Sequence, residues 1–207
     1  MARHRLAGRE RARTIVQAAV GLFARRGFSG VTSREIAHAA RVSEGLVFKH
    51  FPHKHSLYRA ILESKMREIE RDDPLDPALD TLDDEAFLAA LASGILSRID
   101  ADDTFFRLLV HSALEGHPLA AEFHRLRVDR VRQRIERRIR LRFARRRWKA
   151  PVDPGLAARI FSGMIMASVM SRRLFKDPVI ARQPATRWGR RLARVFLHGL
   201  EPAGGKA

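Results

Sequence analysis

The amino-acid sequence predicts an all-α protein. No alternation of apolar and polar residues persists as it would in a half-buried strand, and apolar residues recur at helical spacing almost throughout. Start and stop signals divide the chain at Gly27, Ala40–Val42, Phe51–His53, Asp72–Pro77, Asp100–Asp103, Gly116–Pro118, Ala150–Pro154 and Asp177–Pro184. Under the rules for helix ends these breaks leave about nine helices.

The head of the chain is the most explicit part. Helix 1 is expected from about Arg9 to Arg26, with Ile15, Ala19, Leu22 and Phe23 inward. Arg25 and Arg26 suit its negative end, and Gly27 can take the left-handed cap. Thr32 caps helix 2, Glu35 completes a capping box, and Ile36, Ala37 and Ala40 face inward. After a turn at Arg41–Val42, Ser43 caps helix 3, which reads EGLVFKHF and stops at Pro52. A connecting helix over 53–70 then meets a Pro/Asp-rich stretch, RDDPLDPALDTLDD, the best boundary between a small head (1–52) and a larger body (71–207).

Composition narrows the function. The 207 residues suffice for a buried core, and a hydrophobic fraction of 45% excludes a disordered tail protein. Cysteine is absent, which excludes disulfides and thiolate metal sites and suits a cytoplasmic protein. The basic N-terminus is not followed by an apolar stretch, so no signal peptide is expected. The most apolar run, residues 163–170, is far shorter than the roughly 20 residues of a membrane span, and no membrane partner is expected.

The net charge of +17 points towards a polyanion, and its distribution is more informative than its sum. Residues 1–65 carry +9, 66–85 carry −7, 86–124 carry −3, 125–149 carry +11 and 150–207 carry +7. Arg outnumbers Lys 34 to 6, which a GC-rich genome alone can produce, so the total is discounted.

Two short helices joined by a tight turn make a helix-turn-helix, whose second helix enters the major groove of DNA. Its leading end must not be bulky, and Ser43, Glu44 and Gly45 are small or polar there. Thr32, Ser33, Arg34, Lys49, His50 and Lys54 supply phosphate donors around it. Glu44 and Leu46 are the candidates for base edges, through a cytosine amino group and a thymine methyl. A plainer account makes Thr32, Ser43 and Gly45 only caps and turn residues.

The ordered series Gly27, Phe28, Thr32, Ile36, Ala37, Val42, Ser43, Gly45, Phe48, His50, Phe51, Lys54 and Leu57 resembles the N-terminal domain of the tetracycline-repressor (TetR) family. Three positions depart from that pattern. Arg41 stands where glycine is usual in the turn, Phe48 where tyrosine is usual, and His55 where an acidic residue is usual. The resemblance implies a transcriptional regulator, expected to be a repressor released from a palindromic operator in double-stranded DNA by a small-molecule effector. It also implies a homodimer and no cofactor. An architectural, nucleoid-type DNA-binding protein without effector is the alternative.

The body is less explicit. Leu88, Leu91, Ile95, Phe105, Leu109, Phe123, Phe161 and Met164 could line an effector pocket, although most must be ordinary core. On the C-terminal helix Trp188, Leu192, Val195, Phe196 and Gly199 share a stripe. On the helix before it, Leu156, Ile160, Gly163, Ala167 and Ser171 share another, and the two would form a four-helix bundle with a second copy, in the arrangement usual for the family. Both stripes could equally close the monomer core. The run 125–149 keeps Leu126, Val131, Ile135, Ile139 and Phe143 inward and fills its circumference with arginine. It reads as a solvated helix, with a second nucleic-acid surface or contact with anionic lipid as alternatives. The acidic cluster 72–85 reads as a solvated linker and a helix N-terminus. His50, His53 and His55 suggest no metal site, because Pro52 interrupts them, and His111, His117 and His124 read as structural. No nucleophile elbow, phosphate-binding glycine loop or catalytic carboxylate pair is present, so an enzyme is not expected.

Overall fold

A computed structural model describes residues 2–71, 77–148 and 152–201. The described residues are helical and contain no strand. They form ten helices of six residues or more and one single-turn helix. The count exceeds the expected nine because a π turn at His124–Val128 splits the arginine-rich segment from the helix before it. The chain divides into two compact units, residues 1–72 with 104–124, and residues 73–103 with 125–207.

The first unit holds α1 (Ala2–Arg26), α2 (Ser33–Ala40), α3 (Glu44–His50), α4 (Lys54–Arg71), α6 (Thr104–Leu114) and α7 (Pro118–Phe123). α1 begins seven residues before the expected Arg9, in a segment without apolar periodicity. Its inner face is Ile15, Ala19 and Phe23, all fully buried, with Leu22 half-buried. α1 packs on α2, α4 and α6, and α2 packs on α3. The middle of the unit is aromatic. Phe23, Phe28 and Tyr58 have ring centroids 4.7–5.7 Å apart, and the His117 imidazole lies 4.0 Å from the Tyr58 ring. Such tilted and edge-on pairs add to simple area burial.

The second unit holds α5 (Asp84–Ala101), α8 (Asp129–Arg146), α9 (Pro154–Arg173), the single-turn α10 (Pro178–Ala181) and α11 (Ala185–Gly199), with a 3₁₀ turn at Pro77–Thr81. α5 and α11 make its most extensive contact, and α9 packs on α5, α8 and α11. The α5–α11 approach depends on Gly189. A Cβ there would lie 2.8 Å from the Ser93 backbone nitrogen and 3.0 Å from the Ala89 carbonyl oxygen. The apolar run 163–170 sits inside α9, which as a whole is long and apolar enough to cross a membrane by length and composition. That helix ends on a buried guanidinium. Arg172 pairs with Asp100 and donates to the carbonyls of Ile180 and Gln183, both at 2.7 Å.

The arginine-rich helix differs from the expected solvated cylinder. Val131, Ile135, Ile139 and Phe143 are buried as anticipated, but so are Arg138 and Arg142, and Arg127 in the π turn. The acidic segment supplies the reason. Asp84 takes Arg138 at 2.8 Å and Arg142 at 3.1 Å, and Asp80 takes Arg134 at 3.0 Å. Arg138 also donates to the carbonyls of Asp80 and Leu82. Burial alone would raise the Asp84 carboxyl, but hydrogen bonds from Arg138 and Arg142 outweigh it and hold the group below the usual carboxylate range. The segment expected to be a solvated linker is therefore, over residues 77–84, a folded counter-charge. Asp83 caps α5 by accepting from the Ala86 N–H at 2.7 Å, and residues 72–76 lie outside the described residues.

Substitution of Gly189 tests the close helix crossing. Gly→Ala in a helix ordinarily stabilises by about 0.5–1 kcal/mol. Here the methyl group meets backbone on α5, so Gly189→Ala is expected to destabilise by about 1–3 kcal/mol, as overpacking does. Urea unfolding measures this as a lower midpoint at unchanged slope.

Candidate nucleic-acid interface

α2 and α3 take their relative angle from the residues between them. Arg41 adopts φ 55°, ψ 45°, the left-handed conformation that terminates α2. Its N–H donates to the carbonyls of Ala37 and His38, and the Val42 N–H donates to the Ala37 carbonyl at 3.0 Å. This satisfies the last carbonyls of α2 in the manner of a glycine cap, with the strain that a Cβ brings there. Ile36, Ala37, Ala40 and Val47 bury the inner faces of both helices.

Capping accounts for Thr32, singled out as a phosphate donor, and for Ser43 at the leading end of α3. The Thr32 hydroxyl accepts from the Glu35 N–H and donates to the Glu35 carboxylate, which in turn accepts from the Thr32 N–H at 2.8 Å. The Ser43 hydroxyl accepts from the Leu46 N–H at 3.2 Å. Glu35 also meets Arg26 at 2.7 Å, tying the end of α1 to the start of α2. The Arg26 hydrogen bond first, and the Thr32 bonds second, pull the Glu35 carboxyl down to about 2.

Lys54 has a structural partner too. Its ammonium donates to the Phe28 carbonyl at 3.2 Å and lies 4.8 Å from the Phe28 ring centroid. Two of its three N–H donors remain for a phosphate. Arg34 and Lys49 are exposed, and neither has a carboxylate partner among the described residues; the same is true of Arg41. Ser33, Glu44, Leu46 and His50 are half-buried. Gly45 is exposed, and a Cβ built on it would meet nothing within 4 Å. The outer face of α3 thus combines an open leading turn with unpaired cations at its sides and its far end. Phe48 adds a half-exposed aromatic ring.

Several residues that hold this module were not legible in the sequence. The Phe28 N–H donates to Glu115 at 2.9 Å, across 87 residues of chain. Gly27, at φ 72°, lies so close to that carboxylate that a Cβ would overlap it. His117 caps α7 by accepting from the Leu119 N–H, and its ring packs on Phe28 and Tyr58. Burial, and then the neighbouring His55, lower the His117 pKa. Among the described residues no group of three or more His, Asp or Glu could hold a metal.

The residues named for an effector pocket fall in both units. Phe105 and Phe123 meet edge to face at 5.3 Å in the first, where Leu109 is half-buried. In the second, Leu88, Leu91 and Phe161 are core, and Ile95 and Met164 are half-buried. The residues named for a dimer interface also divide. Phe196 and Leu192 are buried within their own unit, with Phe196 4.9 Å from the Phe161 ring. The Trp188 indole donates to Ser168 at 2.9 Å. Val195, Gly163 and Ala167 face outward, together with Leu156 and Ile160.

A tri-helical head with an open second helix on a left-handed turn defines a helix-turn-helix protein. Residues 15–61 match the sequence model of the bacterial regulatory proteins of the tetR family. A helix-turn-helix-type transcriptional repressor of Mycobacterium tuberculosis is 35% identical over 113 residues, 54% of this chain and 52% of that protein. The chain thus spans about half the length of the curated relatives of that group. A TetR-like transcriptional regulator from Rhodococcus superposes with TM-score 0.71 at 19% identity, covering 91% of this chain and 96% of the other. The transcriptional regulator FadR from Bacillus subtilis, solved with stearoyl-CoA, gives 0.70 at 17% identity, covering 91% and 98%. These two likenesses establish the shared fold.

The depressed Glu35 pKa gives the head a defined acid response. The ionised carboxylate contributes stability that is complete above its ordinary value of 4.5 and is lost as pH falls towards about 2. Glu35→Gln is therefore expected to unfold at lower temperature than the parent at pH 7, with the gap closing between pH 4.5 and 2. Thermal unfolding followed by circular dichroism across that range checks it, and a gap independent of pH would contradict it.

Proposed function

We propose that this chain is a sequence-specific DNA-binding transcriptional regulator, a repressor that leaves its operator when a small molecule binds its helical body. The observation that carries the DNA reading is Gly45. A glycine in a helix costs stability relative to alanine, by up to about 1 kcal/mol. No atom of the described residues lies within 4 Å of a methyl group built there. The missing side chain lies on the leading turn of α3, between exposed Arg41 and Lys49. Close approach to the floor of a major groove accounts for it.

Residues 1–52 would be the reading head, 53–70 the connecting helix, and 71–207 the effector-binding and dimerising body. Arg34, Arg41 and Lys49, with the remaining donors of Lys54, would bind phosphates, and Glu44 and Leu46 would meet base edges. The stearoyl-CoA bound by the Bacillus subtilis FadR supports a small-molecule effector for a body of this fold. A cytoplasmic location goes with this reading.

A homodimer goes with it as well. One helix-turn-helix covers too few base pairs, whereas two heads a helical turn apart, about 34–36 Å, read a palindrome. The exposed Leu156, Ile160 and Val195, beside Gly163 and Ala167, form an apolar surface on neighbouring helices that a second copy would cover.

Gly45→Ala and Gly45→Leu are expected to fold with undiminished stability. On a sequence obtained by selection from a random pool they should lose affinity by about tenfold or more, the scale of one or more spoiled base contacts. Equal affinity of Gly45→Leu and parent, by fluorescence anisotropy, would refute the assignment of α3 as the reading helix.

Val195 is 66% exposed, so Val195→Asp leaves the monomer's packing intact. It is expected to give a folded monomer at micromolar concentration with much weaker operator binding. Light scattering that finds the variant dimeric, or the parent monomeric, would contradict the proposed interface.

A further inference from the structure

The arginine-rich helix has a second face that the described acidic residues 77–85 leave largely open. Arg130, Arg134, Arg137, Arg138 and Arg145 line a groove of about 570 Å³ with Asp80, Gln133 and Leu141. That volume falls within the range of small-molecule sites, about 300–1,000 Å³. Five guanidinium groups face one carboxylate among these eight residues.

The groove is built in two layers. Arg138 forms the inner one. Its side chain is 10% exposed, and its orientation is fixed by Asp84, by two backbone carbonyls and by the Phe87 ring at 5.0 Å. Arg134 is held against Asp80. Arg130, Arg137 and Arg145 form the outer layer, exposed and without a carboxylate partner among the described residues. Like charges four residues apart on a helix repel by about 0.2–0.5 kcal/mol per pair. Asp80 and Asp84 relieve that repulsion for Arg134, Arg138 and Arg142, whereas Arg130, four residues before Arg134, has no carboxylate partner among the described residues.

We propose that this groove binds a small anion carrying several phosphate groups. Guanidinium forks match phosphate oxygens in pairs. The lining argues against other polyanions. None of the eight residues is aromatic, so the stacking that single-stranded nucleic acid uses is absent. Leu141 is the one exposed apolar side chain, too little to enter a lipid surface. The site is separate from the helix-turn-helix and does not rest on the DNA reading.

Calorimetric titration of the full chain with inorganic tripolyphosphate, and with orthophosphate beside it, tests the proposal. Arg137→Gln/Arg145→Gln removes two outer-layer charges, and Arg187→Gln/Arg190→Gln removes two exposed charges from α11 as a matched control. Both pairs lie on the surface, and thermal unfolding confirms that each variant folds. Tripolyphosphate is expected to bind saturably and more tightly than orthophosphate. The groove pair should weaken it by about tenfold or more and the α11 pair by less than about twofold, as for lost charge-assisted contacts against bulk charge. Equal weakening by both pairs means diffuse charge and overturns the proposal, as does the absence of saturable binding. Loss of affinity for unrelated duplex DNA in the groove pair, with tripolyphosphate binding unchanged, assigns the face to nucleic acid and overturns it equally.

Discussion

A guanidinium taken out of water must find a carboxylate or carbonyl oxygen, and that requirement organises the larger unit. Arg138 and Arg142 share Asp84, and Arg172 joins Asp100 to the carbonyls of Ile180 and Gln183. Removing one member of such a set strands a charge in a medium that solvates it poorly, at a cost of several kcal/mol. These pairs join α8 to the start of α5, and α9 to the end of α5 and to α10. The apolar contacts between the same helices can then be non-directional, because the ion pairs select the register. Asp80 and Asp84, within the −7 of residues 66–85, meet Arg134, Arg138 and Arg142, within the +11 of residues 125–149.

The head obeys a different constraint. Its helices are short, seven and eight residues for α3 and α2, below the length at which a helix persists alone. Caps and packing supply what length does not. Thr32 with Glu35, Ser43, and the left-handed Arg41 satisfy helix-end groups, and Glu115 and His117 secure the α1–α2 corner. Residues expected to touch phosphate thus prove to carry local structure as well, and Lys54 does so through Phe28.

What was legible in the sequence followed from locality. Capping boxes, helix breaks and the inward stripe of α8 depend on residues within a few positions of each other, and each can be found by spacing alone. Glu115 beneath Phe28 cannot, because the two lie 87 positions apart and neither residue type announces the pairing. The same holds for Arg172 and Asp100. The tight crossing within the unit falls to Gly189, against Ser93, whereas Gly163, expected to face a second copy, has no described atom within 4 Å of a Cβ built on it. Periodicity places both glycines on a stripe but does not say which stripe meets another helix of the same unit. On α11 it also merged two directions, since Leu192 and Phe196 turn inward while Val195 turns outward.

Gly189 and Gly45 look alike in sequence and stand under opposite pressures. The backbone of α5 forbids a side chain at 189, whereas no atom of the described residues forbids one at 45. A redesign guided only by folding stability would keep the first and fill the second. On the proposed reading, the hardier protein so obtained would have lost its access to the groove floor of DNA. Heat resistance and operator recognition would then diverge at a single methyl group, and screening variants for robustness alone would enrich for proteins that no longer repress.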